Sequence, residues 1–343
     1  MTLLRRSSMA VVGLACAVVV TGCSDAGSTT SGDASWPSTG SPVDADGLVW
    51  ASGGEVHLPD GSTIDTGDLT GSYVVAGPGV WFAAAEPGEL EQNRLPELRL
   101  ATPDGIEDTG AHPGIGSLTA TTDGRWLAFI DRLDEGAGSA EAVVVDLTTG
   151  EEVVRSDEGL VPDDSPGDED WTDLYEDAPV SVFGVVDGTA YVGGLGDVIA
   201  HDLSSGEVET LDLSGTDLVE QDWYRALNPE PPLWNADRSW SILEQPFSAP
   251  VSRLRPADGA AVTTTVPGGT AREWLVGGWL DDDTAVALTP TPDGADVSWT
   301  MPALLTCEVP SGECTTVEGT EGGVNLPADR PFGVPREDSI RPG

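Results

Sequence analysis

Ala142-Val143-Val144-Val145-Asp146-Leu147-Thr148-Thr149-Gly150-Glu151 and Val198-Ile199-Ala200-His201-Asp202-Leu203-Ser204-Ser205-Gly206-Glu207 carry one pattern twice. A β-branched apolar run stops at Asp, and Leu, two hydroxyl residues, Gly and Glu follow. Val and Ile favour the pleated, half-buried surface of a strand. An Asp ahead of Ser or Thr caps a tight turn, and Gly supplies the backbone angles that close it. Each stretch therefore reads as strand, turn, strand. Looser copies stand at Glu55 to Gly61, Leu98 to Gly105, Leu254 to Gly259 and Leu305 to Gly312.

The turn glycines are Gly61, Gly105, Gly150, Gly206, Gly259 and Gly312, at spacings of 44, 45, 56, 53 and 53. Another strand pair lies upstream of the hairpin. Leu118–Thr121 with Trp126–Asp131, Val180–Val185 with Thr189–Val192, and Trp274–Trp279 with Thr284–Leu288 are examples. Asp123-Gly124, Asp187-Gly188 and Asp282-Asp283 turn between them. Each unit then holds four strands, A to D. A period of about 40–50 residues predicts propeller blades.

The expected fold is thus all-β, a β-propeller over residues 47–326 with six four-stranded blades, or seven if a further unit hides in the chain. Two packed sheets are the structural alternative. The first unit, Leu48 to Thr66, shows only three strands, so the C-terminal segment around Gly323 to Leu326 is expected to complete it and close the ring. The two Asp-Leu-Thr/Ser-Thr/Ser-Gly-Glu units resemble the outer hairpins of WD-repeat-like and quinoprotein-like propellers. The resemblance covers most of residues 48–326 and implies a fold, with almost nothing about function.

In such a meander the A–B and C–D turns share one face, and the B–C and D–A loops share the other. The long connections, Glu86–Glu97, Asp131–Glu141, Asp157–Ala178, Ser214–Pro231, Glu244–Pro250 and Thr289–Pro302, are all B–C or D–A loops. Binding residues concentrate on loops held by a rigid scaffold. The expected binding face carries Trp171, Tyr175, Trp223, Tyr224, Arg225 and Trp299, although Trp side chains also pack as core. Pro162 to Asp177 holds eight acids. Clustered carboxylates suit weak Ca²⁺ binding, but their spacing fits no EF-hand loop, and such a run commonly forms a solvated loop.

The N-terminus carries an address. Arg5 and Arg6 precede twelve apolar residues, Met9 to Val20, too few to span a bilayer comfortably. Val20-Thr21-Gly22-Cys23 resembles the bacterial lipobox, so the chain resembles bacterial lipoproteins of the actinobacterial type. That resemblance implies a signal peptide over 1–22 and acyl chains on Cys23 as a membrane anchor. The protein would then sit on the outer face of the cell membrane. Arg5-Arg6 also resembles, weakly, a twin-arginine signal. Residues 23–46, rich in Ser, Gly and Asp, are expected to form a disordered tether, and 327–343 a C-terminal tail. Cys307 and Cys314 flank a turn, at a reach that suits a disulfide, and export permits oxidation.

The net charge is −44 over 343 residues, and every basic residue is arginine. Without residues 1–22 the balance is 13 basic against 59 acidic residues, or −46. Such a chain repels nucleic acid and anionic headgroups. Nucleophile-elbow, P-loop and His-Glu-x-x-His motifs do not occur, and no cofactor is implied. Only His57, His112 and His201 offer imidazoles. The favoured function is a non-catalytic binding scaffold for a protein or envelope ligand. The alternative is an extracytoplasmic hydrolase, lyase or quinoprotein-like oxidoreductase with carboxylates in a central channel. Replacing Cys23 by Ser should abolish palmitate labelling and release the protein from membranes into the soluble fraction. Continued labelling of that variant would refute the anchor.

Overall fold

The computed structural model describes residues 35–67, 72–84, 96–114, 116–132, 140–160, 180–194, 197–213, 217–228, 234–243, 253–265, 275–293, 296–320 and 322–329. No helix among them is long and apolar enough to cross a membrane. Among the described residues, twenty-two strands form six antiparallel sheets, each built from consecutive strands. Sheet 1 is β1 (Trp50–Ser52), β2 (Glu55–His57) and β3 (Thr63–Asp65). Sheet 2 runs β4 (Tyr73–Ala76), β5 (Gly79–Ala84), β6 (Glu97–Thr102) and β7 (Gly105–Asp108). Sheet 3 is β8 (Thr119–Ala120), β9 (Trp126–Arg132), β10 (Ala140–Asp146) and β11 (Glu151–Ser156). Sheet 4 is β12 (Ser181–Val186), β13 (Thr189–Gly193), β14 (Val198–Asp202) and β15 (Val208–Leu211). Sheet 5 is β16 (Trp240–Leu243), β17 (Arg253–Pro256) and β18 (Val262–Thr263). Sheet 6 is β19 (Leu275–Trp279), β20 (Thr284–Asp293), β21 (Asp296–Glu308) and β22 (Cys314–Thr316).

Five of the six turn glycines lie between the last two strands of their sheets, and Gly105 opens the last strand of sheet 2. The repeated hexapeptide explains why. Asp146 Oδ1 accepts from the Thr148 amide (2.9 Å) and hydroxyl (2.6 Å), and Asp202 Oδ1 does the same with Ser204 (2.9 and 2.7 Å). Those bonds, with one from the Ser205 amide, hold the Asp202 carboxyl down at about 2. The Gly150 and Gly206 amides then donate to the carbonyls of Asp146 and Asp202 (2.7 and 2.8 Å). Gly312 repeats that bond to Glu308 (2.8 Å), and the hairpin it closes sets Cys307 directly opposite Cys314. The two form the expected disulfide, with Cα atoms 4.0 Å apart.

β5, β9 and β10 are buried on both faces, and alternate residues go to different neighbours. Val80 and Phe82 of β5 pack with Val56 and Ile64 of sheet 1, while Trp81 packs with Phe129 and Val143 of sheet 3. In β9 and β10, Phe129 and Val143 face sheet 2, whereas Ile130 and Val144 meet Val192 and Ile199 of sheet 4. Sheet 6 divides the same way. Ala285, Leu305 and Cys307 meet Ile242 and Leu254 of sheet 5, and Val286, Leu288 and Leu304 meet Trp50 of sheet 1. This is a propeller-like packing order.

Two sheets are short of the expected four strands. In sheet 1, Asn325 takes the outer place beside β1, exchanging both backbone bonds with Ala51 (2.9 Å each), while the Tyr73 hydroxyl donates to the Asn325 carbonyl (3.1 Å). The pairing is a single bridge. In sheet 5, a bridge between Trp234 and Ser241 stands where strand A was expected.

The structure departs from the sequence reading at three further places. Thr289–Pro302 is no loop: β20 and β21 continue through it as an extended hairpin, paired out to Asp293 with Asp296. The segment 35–46, expected as tether, is docked. Trp36 is only 7% exposed, 6.1 Å from the Trp81 ring and 5.8 Å from Phe129. Its amide donates to Gly150 O (3.1 Å) and its indole N–H to Glu152 (3.2 Å). A Cβ on Gly150 would lie 2.4 Å from the Trp36 carbonyl, and the residue sits at φ 75°, so glycine is required there twice over. The tail, finally, binds back through the Ala328 amide to Tyr73 O (2.9 Å). Replacing Trp36 by Ala should cost about 3 kcal/mol of unfolding free energy, as truncating a buried aromatic does. A tether would give no change in the denaturation midpoint.

Candidate functional site: an aromatic helix on sheet 4

The connection from β15 to sheet 5 contains the one α-helix among the described residues. Asp217 caps a 3-10 turn at Leu218–Glu220 by accepting from the Val219 amide (3.2 Å), and α1 (Asp222–Leu227) follows. Arg225 stitches the two together. Its guanidinium donates to the carbonyls of Val219 (3.3 Å) and Glu220 (3.0 Å) and pairs with Asp222. Helices this short are marginal by themselves, so tertiary contacts must hold it.

Those contacts are aromatic. Trp223 stacks on Tyr191 of β13 at 4.3 Å and 4°. Phe183 of β12 meets Trp223 at 5.5 Å and Tyr224 edge-on at 6.0 Å. Each pair is worth about 1 kcal/mol beyond area burial. Leu227 covers Gly184, where a Cβ would fall 2.8 Å from Leu227 Cδ2. Register explains the placement: Tyr191, Ala200 and Glu209 face one side of sheet 4, opposite the side on which Ala190, Val192 and Ile199 pack against sheet 3. The helix thus occupies the face turned away from sheet 3. Burial against it raises the Tyr191 phenol. The Trp223 indole nitrogen is shielded from solvent and has no hydrogen-bond partner among the described residues.

Of the expected binding residues, Trp223, Tyr224 and Arg225 come together on this helix. Trp223 and Arg225 are used internally, one as anchor and one as staple. Trp171 and Tyr175 lie outside the described residues, as do Cys23 and the acidic run 163–177. Trp299 lies on β21, and its side chain is outside what is described. Among the described residues no group of three His, Cys, Asp or Glu is arranged to hold a metal.

Sequence reading missed a second cluster. On the side of sheet 3 that faces sheet 2, Arg155 donates to Glu152 (2.7 Å), Glu141 (2.6 Å) and Asp131 (3.1 Å). Burial opposes the Arg155 charge, but these carboxylates outweigh it and raise its pKa. Asp131 also accepts from the His112 amide (2.9 Å). Nothing in the spacing of these residues marks them, because β9, β10 and β11 assemble them. The other histidines are structural. His57 stacks on Trp50 at 3.6 Å, and His201 is 4% exposed in the face shared with Ala190.

No family model matches this chain, and no curated protein matches it. Among solved structures, the tricorn protease matches at 11% identity and a TM-score of 0.19, over 82% of this chain and 29% of that one. The β-propeller domain of the Trilobed protease from Pyrococcus furiosus, described as having an open velcro topology, matches at 13% and 0.25, over 72% and 70%. Oligogalacturonate lyase in complex with manganese matches at 11% and 0.21, over 81% and 74%. The chain spans under a third of the tricorn protease. At TM-scores this low the three likenesses carry no argument about the activity or ligands of this chain.

His201 has a measurable consequence. Burial lowers its pKa below the ordinary value, against an opposing pull from Glu158. An imidazole depressed in the folded state gives full stability above about pH 6.5 and loses it as pH falls, because the unfolded chain takes up the proton first. Urea unfolding at pH 7.5 and 5.5 should show a smaller acid loss for His201→Leu than for the parent. Equal losses would mean that His201 does not titrate differently on unfolding.

Proposed function

We propose that this protein is a six-bladed β-propeller closed by its own C-terminal segment, held on the outer face of the cell membrane by lipid on Cys23, and serving as a binding scaffold for an envelope ligand. The packing order supports the ring. Sheets 1 and 2, 2 and 3, 3 and 4, and 5 and 6 each share an apolar cluster, and the last sheet shares one with the first. Asn325 beside β1 is where a closing strand would lie.

One observation carries the binding role. A D–A connection between sheets 4 and 5 is folded into a helix and pinned by the Trp223–Tyr191 stack. A pre-organised loop on a rigid frame lowers the entropic cost of binding. Its outer side presents Val219, 56% exposed, beside the Arg225 staple.

Photocrosslinking in intact cells tests this. A photoreactive amino acid at position 219 should give a discrete adduct. The same probe at position 148, on a C–D turn, should give none. Adding Trp223→Ala should abolish the adduct by releasing the helix. An adduct that is absent, or that survives Trp223→Ala, overturns the reading.

A further inference from the structure

We infer that the open face of sheet 5 is a binding surface for an anionic glycan, a sugar polymer bearing carboxylate or phosphate. The inference names a ligand class for the binding role and needs neither α1 nor ring closure, but it takes this face of sheet 5 to stay uncovered by sheet 4, with which sheet 5 shares no apolar cluster among the described residues. Leu254 of β17 is fully buried against sheet 6, so strand alternation turns Arg253 and Arg255 to the other side. Both are exposed. Ladder pairing sets Ser241 opposite Arg255, and Trp234 opposite Ser241. Directly opposed residues share a face, so Trp234, Ser241 and Arg255 form one row across three chain segments. Leu243, Arg253 and Thr263 form the next. Trp234 is 44% exposed, one of the few large apolar side chains so placed.

Charge makes this face unusual. The chain has 59 acids against 15 bases, and four described arginines outside sheet 5 are ion-paired. Arg99 pairs with Asp108, Arg125 with Asp146, Arg155 with three carboxylates and Arg225 with Asp222. Arg253 and Arg255 have no carboxylate partner among the described residues, and no acid stands in β16, β17 or β18. In a chain this acidic, two neighbouring arginines left without an internal partner leave their charge for an external anion. Guanidinium groups bind carboxylate or phosphate through paired hydrogen bonds. Their Cα atoms, two residues apart on a strand, lie about 6.6 Å apart, so they address successive charges on a polymer. Trp234 offers a flat apolar surface to a sugar ring. An acidic peptide would use the arginines and leave the indole idle.

The full-length protein in detergent, titrated calorimetrically, tests this. The probes are alginate for carboxylate, teichoic acid for phosphate, dextran as neutral glycan and poly-glutamate as peptide polyanion. Alginate, teichoic acid or both should bind, with affinity falling as salt rises, and dextran should not. Arg253→Ser with Arg255→Ser should weaken binding about ten-fold or more. Trp234→Ala should weaken it for the glycans alone, and the double Arg→Lys variant should fall between. All three substituted positions are exposed, so an unchanged melting curve certifies the fold. The inference is overturned if neither glycan binds, if the double variant binds as well as the parent, or if poly-glutamate matches the glycans and ignores Trp234. The position-219 adduct is read separately, so loss of glycan binding with that adduct intact would sink this inference and leave the scaffold role standing.

Discussion

Two-sided burial is the constraint from which the rest of this fold follows. A sheet with one wet face alternates apolar and polar residues. Here the middle strands alternate between two apolar neighbours instead. Val143 and Val145 fill the contact with sheet 2, and Val144 fills the contact with sheet 4. A one-residue slip would exchange the two sets. Phe129 and Trp81 would then point into spaces shaped for Ala and Val, and close packing penalises such a swap. Register is therefore over-determined, and it is what carries the turns to common ends of the sheets.

The chain ends use the same packing. Trp36 wedges between Trp81 and Phe129 over the hairpin that Gly150 closes. Asn325 and Ala328 reach Ala51 and Tyr73 from the other terminus. Sheet 2 thus receives both segments, the first together with sheet 3 and the second together with sheet 1. A composition dominated by Ser, Gly and Asp hides the first of these contacts, because a single indole supplies most of the apolar area.

Charge is sorted by depth and by sheet. The Arg155 cluster puts three carboxylates around one guanidinium beside an apolar contact, where each hydrogen bond offsets desolvation. The aromatic helix's arginine is held by carbonyls of the 3-10 turn before it. Sheet 5 spends no acid on Arg253 or Arg255.

Much of the architecture was legible in the linear chain because its signals are local. An Asp that accepts from the second amide ahead, a glycine at positive φ and a β-branched run together specify a hairpin within ten residues. The Asp bond is present at Asp60, Asp146 and Asp202, and the other three hairpins, with the facing Cys307 and Cys314, keep the glycine without it. The Trp223-Tyr224-Arg225 triplet was visible as binding-type chemistry, but its roles were not. That Trp223 is an anchor depends on Tyr191, thirty-two residues earlier, and that Arg155 meets Asp131 and Glu141 depends on three strands lying side by side. Which arginines go without partners is likewise a property of the assembled sheets. Local hydrogen bonding and strand propensity act over a few residues and can be read along the chain. Pairing of faces acts through space, and only the folded arrangement decides it.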